Sequence, residues 1–110
     1  MRNRHNKYGN VLTEYAGRTF HSKKEAEHAA YLDLLKHAKK DKDRVVRVVY
    51  QAPIALNIGN VHVANYIADF IVYFADGRKE VQDVKGFRTD IYKIKKKLVF
   101  ALHGIEIVEY

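Results

Sequence analysis

One carboxylate stands alone in a long apolar run. Asp69 is enclosed by Tyr66-Ile67-Ala68 before it and Phe70-Ile71-Val72-Tyr73-Phe74 after it. An ionised carboxylate in a buried strand costs several kcal/mol unless it is paired or holds a cation. Fourteen residues on lies Asp83-Val84-Lys85, where strand alternation puts Asp83 and Lys85 on one face. Between them Asp76-Gly77 is a hairpin signal. If the loop there has an odd number of residues, Asp69 and Asp83 oppose each other with Cβ atoms ~5 Å apart, close enough for two carboxylates to grip one divalent cation. A strict two-residue turn would instead oppose Asp69 to Val84, so the pairing needs a longer loop or a bulge. Taken by itself, Asp83 reads as half of a surface Asp–Lys pair; beside Asp69 it reads as a ligand.

Glu25 is a third carboxylate candidate, although capping a helix with Ser22 is an adequate role for it. Glu27 lies ~200° around the same helix, so only one of the two can face a site. Lys95 falls on the edge of a helical apolar stripe. It reads equally as a stem covering apolar surface or as a cation aimed at a phosphate. Lys93, Lys96 and Lys97 read as a solvated face able to touch a nucleic-acid backbone. The six histidines, His28 and His37 among them, form no metal or catalytic motif. There is no phosphate-binding loop, no nucleophile-elbow motif and no call for a base-stacking aromatic platform.

The elements that must position these residues follow from periodicity and punctuation. Residues 1–10 read as a mobile basic arm, followed by one domain over 11–110. A small hairpin turns at Ala16-Gly17. Ser22-Lys23-Lys24-Glu25 fits a capping box, and Ala26, Ala30, Leu34, Leu35 and Ala38 continue a helix to about Ala38. Strand formers fill 45–50, with Pro53 marking an interruption or an edge. Gly59-Asn60 reads as a turn, 61–74 as a strand and 79–84 as its hairpin partner. Thr89 or Asp90 caps a second helix with Ile91, Ile94, Leu98, Ala101 and Leu102 as its buried stripe. Gly104 stops it before a last strand at Ile105, Ile107 and Val108. The order α-β-β-β-α-β predicts an α/β (α+β) fold, a mixed sheet flanked by helices.

Composition sets the outer bounds. The 110 residues carry a net charge of +7, and 47% are hydrophobic, enough for a core. No apolar run approaches the ~20 residues of a membrane span, and the N-terminus lacks a secretory hydrophobic region. With no cysteine, disulfides and thiolate chemistry are excluded, and a reducing intracellular compartment fits. The charge is uneven. Residues 1–10 carry +3, 18–44 carry +3 and 85–97 carry +5, whereas 45–84, which hold Asp69 and Asp83, carry −1. Carboxylates framed by cations suit a polyanionic partner.

At this point the sequence resembles the PD-(D/E)XK nuclease superfamily, whose restriction-endonuclease-like core has the same α-β-β-β-α-β order. It is similar in particular to a family of small phage-encoded, restriction-endonuclease-like proteins with Holliday junction resolvase-like members. The likeness runs through Lys7-Tyr8-Gly9-Asn10, Phe20, Ser22-x-x-Glu25-Ala26, Gln51-x-Pro53, Tyr66-x-x-Asp69-Phe70, Asp83-Val84-Lys85-Gly86, Thr89, Lys95 and Lys97-Leu98. Two positions depart: Ala68 stands where the superfamily's name has Pro, and Gln82 where an acidic residue often precedes Asp83. The resemblance implies Mg²⁺ or Mn²⁺ on Asp69, Asp83 and the Val84 carbonyl, with Glu25 completing the site directly or through water. It implies that Lys85 orients or deprotonates the attacking water, that Lys95 contacts the scissile phosphate and that Gln51 lies behind the ligands. Arg2, Arg4, Lys7, Arg88, Lys93 and Lys97 would hold DNA.

The expectation is a metal-dependent DNA endonuclease, crossover-junction type, acting on branched phage DNA as a homodimer with no membrane partner, in the host cytoplasm if phage-encoded. The alternatives are a nicking or degrading nuclease for other DNA and a non-catalytic DNA-binding module of the same fold.

Overall fold

A computed structural model describes residues 2–5, 11–84 and 88–110. Three short strands come first: β1 (Arg2–His5), β2 (Val11–Tyr15) and β3 (Arg18–Phe20), antiparallel in that order. Residues 2–5, expected as part of a mobile arm, are thus a strand, with Arg2 opposite Glu14 and Arg4 opposite Leu12 in register. The β2–β3 turn is the expected one. Ala16 (φ 51°) and Gly17 (φ 80°) both take positive φ, the signature of a turn whose twist matches its strands.

Helix α1 (Lys23–Leu35) begins where Ser22 Oγ accepts the Glu25 amide (3.1 Å), one limb of the capping box. It ends three residues before Ala38. Tyr15 donates to Asp33 (2.7 Å), tying the small sheet to the helix.

The main sheet has the order β4 (Val45–Ile58), β5 (Val61–Phe74), β6 (Lys79–Asp83), β7 (Ile107–Glu109), antiparallel except for the parallel β6–β7 pair. Helix α2 (Asp90–His103) forms the crossover between β6 and β7. It is capped by Thr89 Oγ1, which accepts the Tyr92 amide, and closed by Gly104 at φ 68°. From α1 onward the order is α-β-β-β-α-β, and the described residues form a mixed α+β fold with a four-stranded mixed sheet and two helices. Pro53 does not end β4. It is accommodated because β4 is an edge strand, where a missing N–H costs no ladder bond.

Two cores lie on the sheet. One joins α1 (Ala26, Ala29, Leu32) to Phe20, Phe70, Val72 and Phe74; the other joins α2 (Tyr92, Val99) to Leu56, Tyr66, Ala68, Val81 and Ile107. Helix α2 differs from its predicted stripe. Tyr92 and Val99 are buried and Leu98 is half-buried, while Ile91, Ile94, Ala101 and Leu102 are exposed. The period was right but the phase was not, because the Tyr92 hydroxyl donates to Glu109 on β7 (2.6 Å) and holds that side of the helix to the sheet.

Candidate active site at a sheet pivot

The β5–β6 register runs from Tyr73↔Lys79 to Phe70↔Gln82, with an odd number of residues between the last paired positions around Asp76-Gly77. Continued by one step, this register sets Asp69 opposite Asp83. There the ladder gives way to a reciprocal clasp. The Asp69 amide donates to Asp83 Oδ1 (3.0 Å), and the Val84 amide donates to Asp69 Oδ2 (3.0 Å). Asp83 has no exposed surface and Asp69 is 8% exposed. Two carboxylates therefore meet inside the protein, each also accepting a main-chain N–H from the opposing strand.

The backbone turns over at this point. On β5, even-numbered residues beyond the site (Tyr66, Ala68) pack with α2, whereas those before the loop (Phe70, Val72, Phe74) pack with α1. β4 makes the same exchange: Val48 and Tyr50 side with α1, Ile54 and Leu56 with α2. The pivots face each other across the ladder, Gln51 between the pairs Tyr50↔Phe70 and Ala52↔Ala68 and Asp69 beside it. Gln51 takes φ 49°, the left-handed region that a side chain makes costly. Expected behind the metal ligands, Gln51 is exposed; its backbone, rather than a contact of its side chain, belongs to the site.

Around the pair the predicted residues divide. Glu25 is buried (8% exposed) on the sheet side of α1, whereas Glu27 is exposed and pairs with Lys23. This settles which of the two faces the sheet. Among the described residues, however, no group of three His, Asp or Glu side chains gathers at metal-binding distance, so Glu25 does not form a third wall with Asp69 and Asp83. Lys95 is not aimed at the carboxylates. Its Nζ donates to the Asn65 carbonyl (3.0 Å), about 13 Å of strand away from Asp69 at ~3.3 Å per residue. Lys7 and Lys85 lie outside the described residues.

Arg88, Lys93, Lys96 and Lys97 do gather, lining a cleft of about 620 Å³ with Tyr92, Phe100 and Glu109. Glu109 is its hub. It accepts from Arg88 (3.0 Å) and Tyr92 and pairs with Lys96 (3.5 Å), and it sits beside Asp83 in the β6–β7 register. The Arg88 and Tyr92 hydrogen bonds hold its carboxyl down at about 2. Burial, the bond to Glu109 and the charge of Asp83 push the Tyr92 phenol well above its ordinary value.

His28 was passed over in the sequence and is a buried neighbour of the site. Its Nε2 donates to Gln82 Oε1 (2.7 Å), and its ring packs on Tyr110 (4.5 Å) and Phe70 (5.0 Å). Burial lowers its pKa, opposed by the Gln82 bond and the charge of Asp69. Gln82 donates in turn to Glu80 (3.0 Å). Gln82 thus fills with an amide the place where the resemblance has an acidic residue, and the amide serves His28. The available signal was spacing: His28 follows the sheet-facing Glu25 by three residues, one helical turn.

Two carboxylates at one point and the adjoining Val84 main chain are hard oxygen donors of the kind Mg²⁺ uses, one or two carboxylates with its remaining positions left to water or phosphate. A carboxylate has about four lone-pair sites, so an amide donation does not by itself use up its acceptors. The residues fit such an ion without a third side chain.

No helix among the described residues is long and apolar enough to cross a membrane. No curated protein and no solved structure matches the chain. A family model matches residues 5–107, nearly the whole chain, and the protein belongs to that family, described as "Protein of unknown function (DUF1064)".

Proposed function

We propose that this protein is a metal-dependent DNA endonuclease of PD-(D/E)XK type, with a restriction-endonuclease-like fold, hydrolysing phosphodiester bonds in branched phage DNA such as Holliday junctions. The observation that carries the reading is the juxtaposition of Asp69 and Asp83 inside the protein, held by reciprocal backbone bonds at the sheet pivot. Carboxylates are brought together in this way at a cost in repulsion and desolvation that a cation would offset.

When bound on these carboxylates, Mg²⁺ or Mn²⁺ supplies Lewis acidity and a water acidic enough to attack at neutral pH. The chain's own residues do the rest. Asp69 and Asp83 hold the oxygen donors in fixed positions because each is pinned by the other strand's amide. Glu25 acts from α1 through water. Lys85, next to Val84, orients or deprotonates the attacking water. Arg88, Lys93 and Lys97 hold the DNA backbone in the cleft beside Glu109, and Arg2, Arg4 and Lys7 extend that hold. The Lys95 ammonium, bound to Asn65, is a backbone clamp on the ribbon unless DNA draws it away.

A second reading, a non-catalytic DNA-binding module, draws on the absence of a three-ligand cluster among the described residues. In it the clasp simply closes a ladder where two strands part. A nicking or degrading nuclease for other DNA shares the first reading's site. The test offers a four-way junction, a linear duplex and a single strand with Mg²⁺, Mn²⁺ or EDTA. Paired nicks in the junction with metal and none with EDTA are expected. Junction binding without cleavage in either metal would favour the binding module, and cleavage of all three substrates the general nuclease.

A further inference from the structure

We propose that the cleft between α2 and the β7 edge takes an unpaired nucleotide of a DNA strand, with its base on the Phe100 ring and its phosphates on Lys93 and Lys97. Helix α2 carries two aromatic residues. Tyr92 is buried against the sheet, whereas Phe100 is 55% exposed. Taking Tyr92 as zero at ~100° per residue, Lys96 falls at about 40°, Phe100 at about 80°, Lys93 at about 100° and Lys97 at about 140°. The ring is therefore bracketed by three lysines on one helical face, and that face forms a wall of the cleft of about 620 Å³. Ile105 and Ile107 line the opposite side. The volume lies within the range of pockets that hold small organic groups, and a base with its sugar is such a group.

Charge and apolar surface together select the occupant. Arg88 and Lys96 are paired with Glu109, whereas Lys93 and Lys97 pair with no acid among the described residues. Four basic side chains against Glu106 and Glu109 give the lining a positive excess, which favours an anion. A free phosphate or an acidic peptide satisfies the lysines and leaves the apolar floor unused. A duplex does the same, because its base faces are stacked inside it. An unpaired nucleotide supplies both halves of the match, a phosphate for the cations and a π-face for the ring. The second cavity of the molecule lacks this combination. Its exposed aromatics, Tyr31 and Tyr110, stand among Lys42 and Arg78 matched by Asp43 and Glu80.

The inference rests on the nuclease reading only for its purpose. Glu109, inside the cleft, is the register partner of Asp83, one strand spacing of ~4.8 Å away. Phe100 lies ~12 Å along α2 from Tyr92, which is bonded to Glu109. A base held on Phe100 thus belongs to a nucleotide close to the one at the carboxylates. Taking a base out of a duplex costs unstacking and unpairing, and the cost is least where pairing is already broken, as at a branch point.

The test is fluorescence anisotropy with labelled oligothymidylate and a labelled duplex, in EDTA so that neither is cut. Phe100→Ala should weaken oligothymidylate binding about tenfold, the loss expected for one stacked base, and change duplex binding less than about twofold. Phe100→Leu keeps apolar bulk without a ring face and should behave like the alanine variant. Phe100→Tyr should bind as the wild type does, and so should Ile94→Ala, on another face of α2. Phe100 is exposed, so these variants should fold, and far-UV circular dichroism checks it. A wild type that does not bind the single strand, a leucine variant that binds it as tightly as wild type, or equal losses on strand and duplex would each overturn the site. So would displacement of the strand by polyglutamate or by thymidine monophosphate at the strand's own affinity. Ring-dependent strand binding without cleavage in any metal would leave the site standing and end the nuclease reading. Asp83-dependent junction cleavage with ring-independent strand binding would do the reverse.

Discussion

The two halves of the β4–β5 ribbon differ in nearly everything but sequence style. The inner half, 45–50 with 70–74, packs one face on α1 together with Phe20 of β3. Phe70 is fully buried there against Phe20, Tyr50 and His28. The outer half, 52–58 with 61–68, has one face on α2 and the other bare. Both halves are rich in β-branched and aromatic residues, yet they bury opposite faces of the same strands. The boundary is Gln51 and Asp69. A buried carboxylate is tolerable at that boundary because the ladder fails there, and backbone amides that would otherwise serve the sheet are turned to Asp69 and Asp83. The comparison teaches that the candidate site is a consequence of the sheet reversing its faces.

Substitutions can break this contrast at graded cost. Phe70→Ala should lose about 3–5 kcal/mol in urea unfolding, as expected for a large core residue. Ile67→Ala, three residues away on the bare face, should stay within about 0.5 kcal/mol in monomeric conditions. Equal losses at the two positions would erase the distinction between the halves. At the boundary, Gln51→Val should cost about 1–2 kcal/mol, because a β-branched residue resists φ near 50°. Gln51→Gly should be neutral or stabilising in the same assay. A stabilised valine variant would show that the pivot is not strained.

Smaller effects come from titration. Burial depresses the His28 pKa below 6.5, so the folded state binds its proton less well than the unfolded chain. That makes stability complete above pH 6.5 and declining as pH falls below it, and His28→Gln should flatten this part of the pH–stability curve. Glu109 is depressed from 4.5 to about 2, so its contribution is present above pH 4.5 and is lost as pH falls through 2. Glu109→Gln should remove that acid-dependent slice. The slice is small, because the partners Arg88 and Lys96 are exposed and the ion pairs are screened.

Much of this was legible in the sequence because local chemistry carries it. Ser22, Thr89 and Gly104 cap helices as their types dictate, and Ala16-Gly17, Gly59-Asn60 and Asp76-Gly77 turn the chain. The Asp69–Asp83 pairing was legible only as a condition on the parity of the loop between them, which the β5–β6 register then supplies. What was not legible depended on partners remote in sequence. The phase of α2 was set by Tyr92 reaching Glu109, seventeen residues on. The direction of Lys95 was set by Asn65, and the burial of His28 by Gln82. The extent of β4 past Pro53 depended on its lying at an edge, which no local pattern reveals.

The central claim is that Asp69 and Asp83 meet in order to hold a catalytic cation. Its most direct test is four-way-junction cleavage in Mn²⁺ by wild-type and Asp83→Asn protein, with folding of both checked by thermal melting. The amide keeps the shape and an acceptor for the Asp69 amide but removes the charge that binds the metal. The account predicts cleavage by the wild type and at least a ~100-fold loss in the variant, comparable to losing one preorganised electrostatic group. Cleavage by a folded Asp83→Asn protein at the wild-type rate would contradict it.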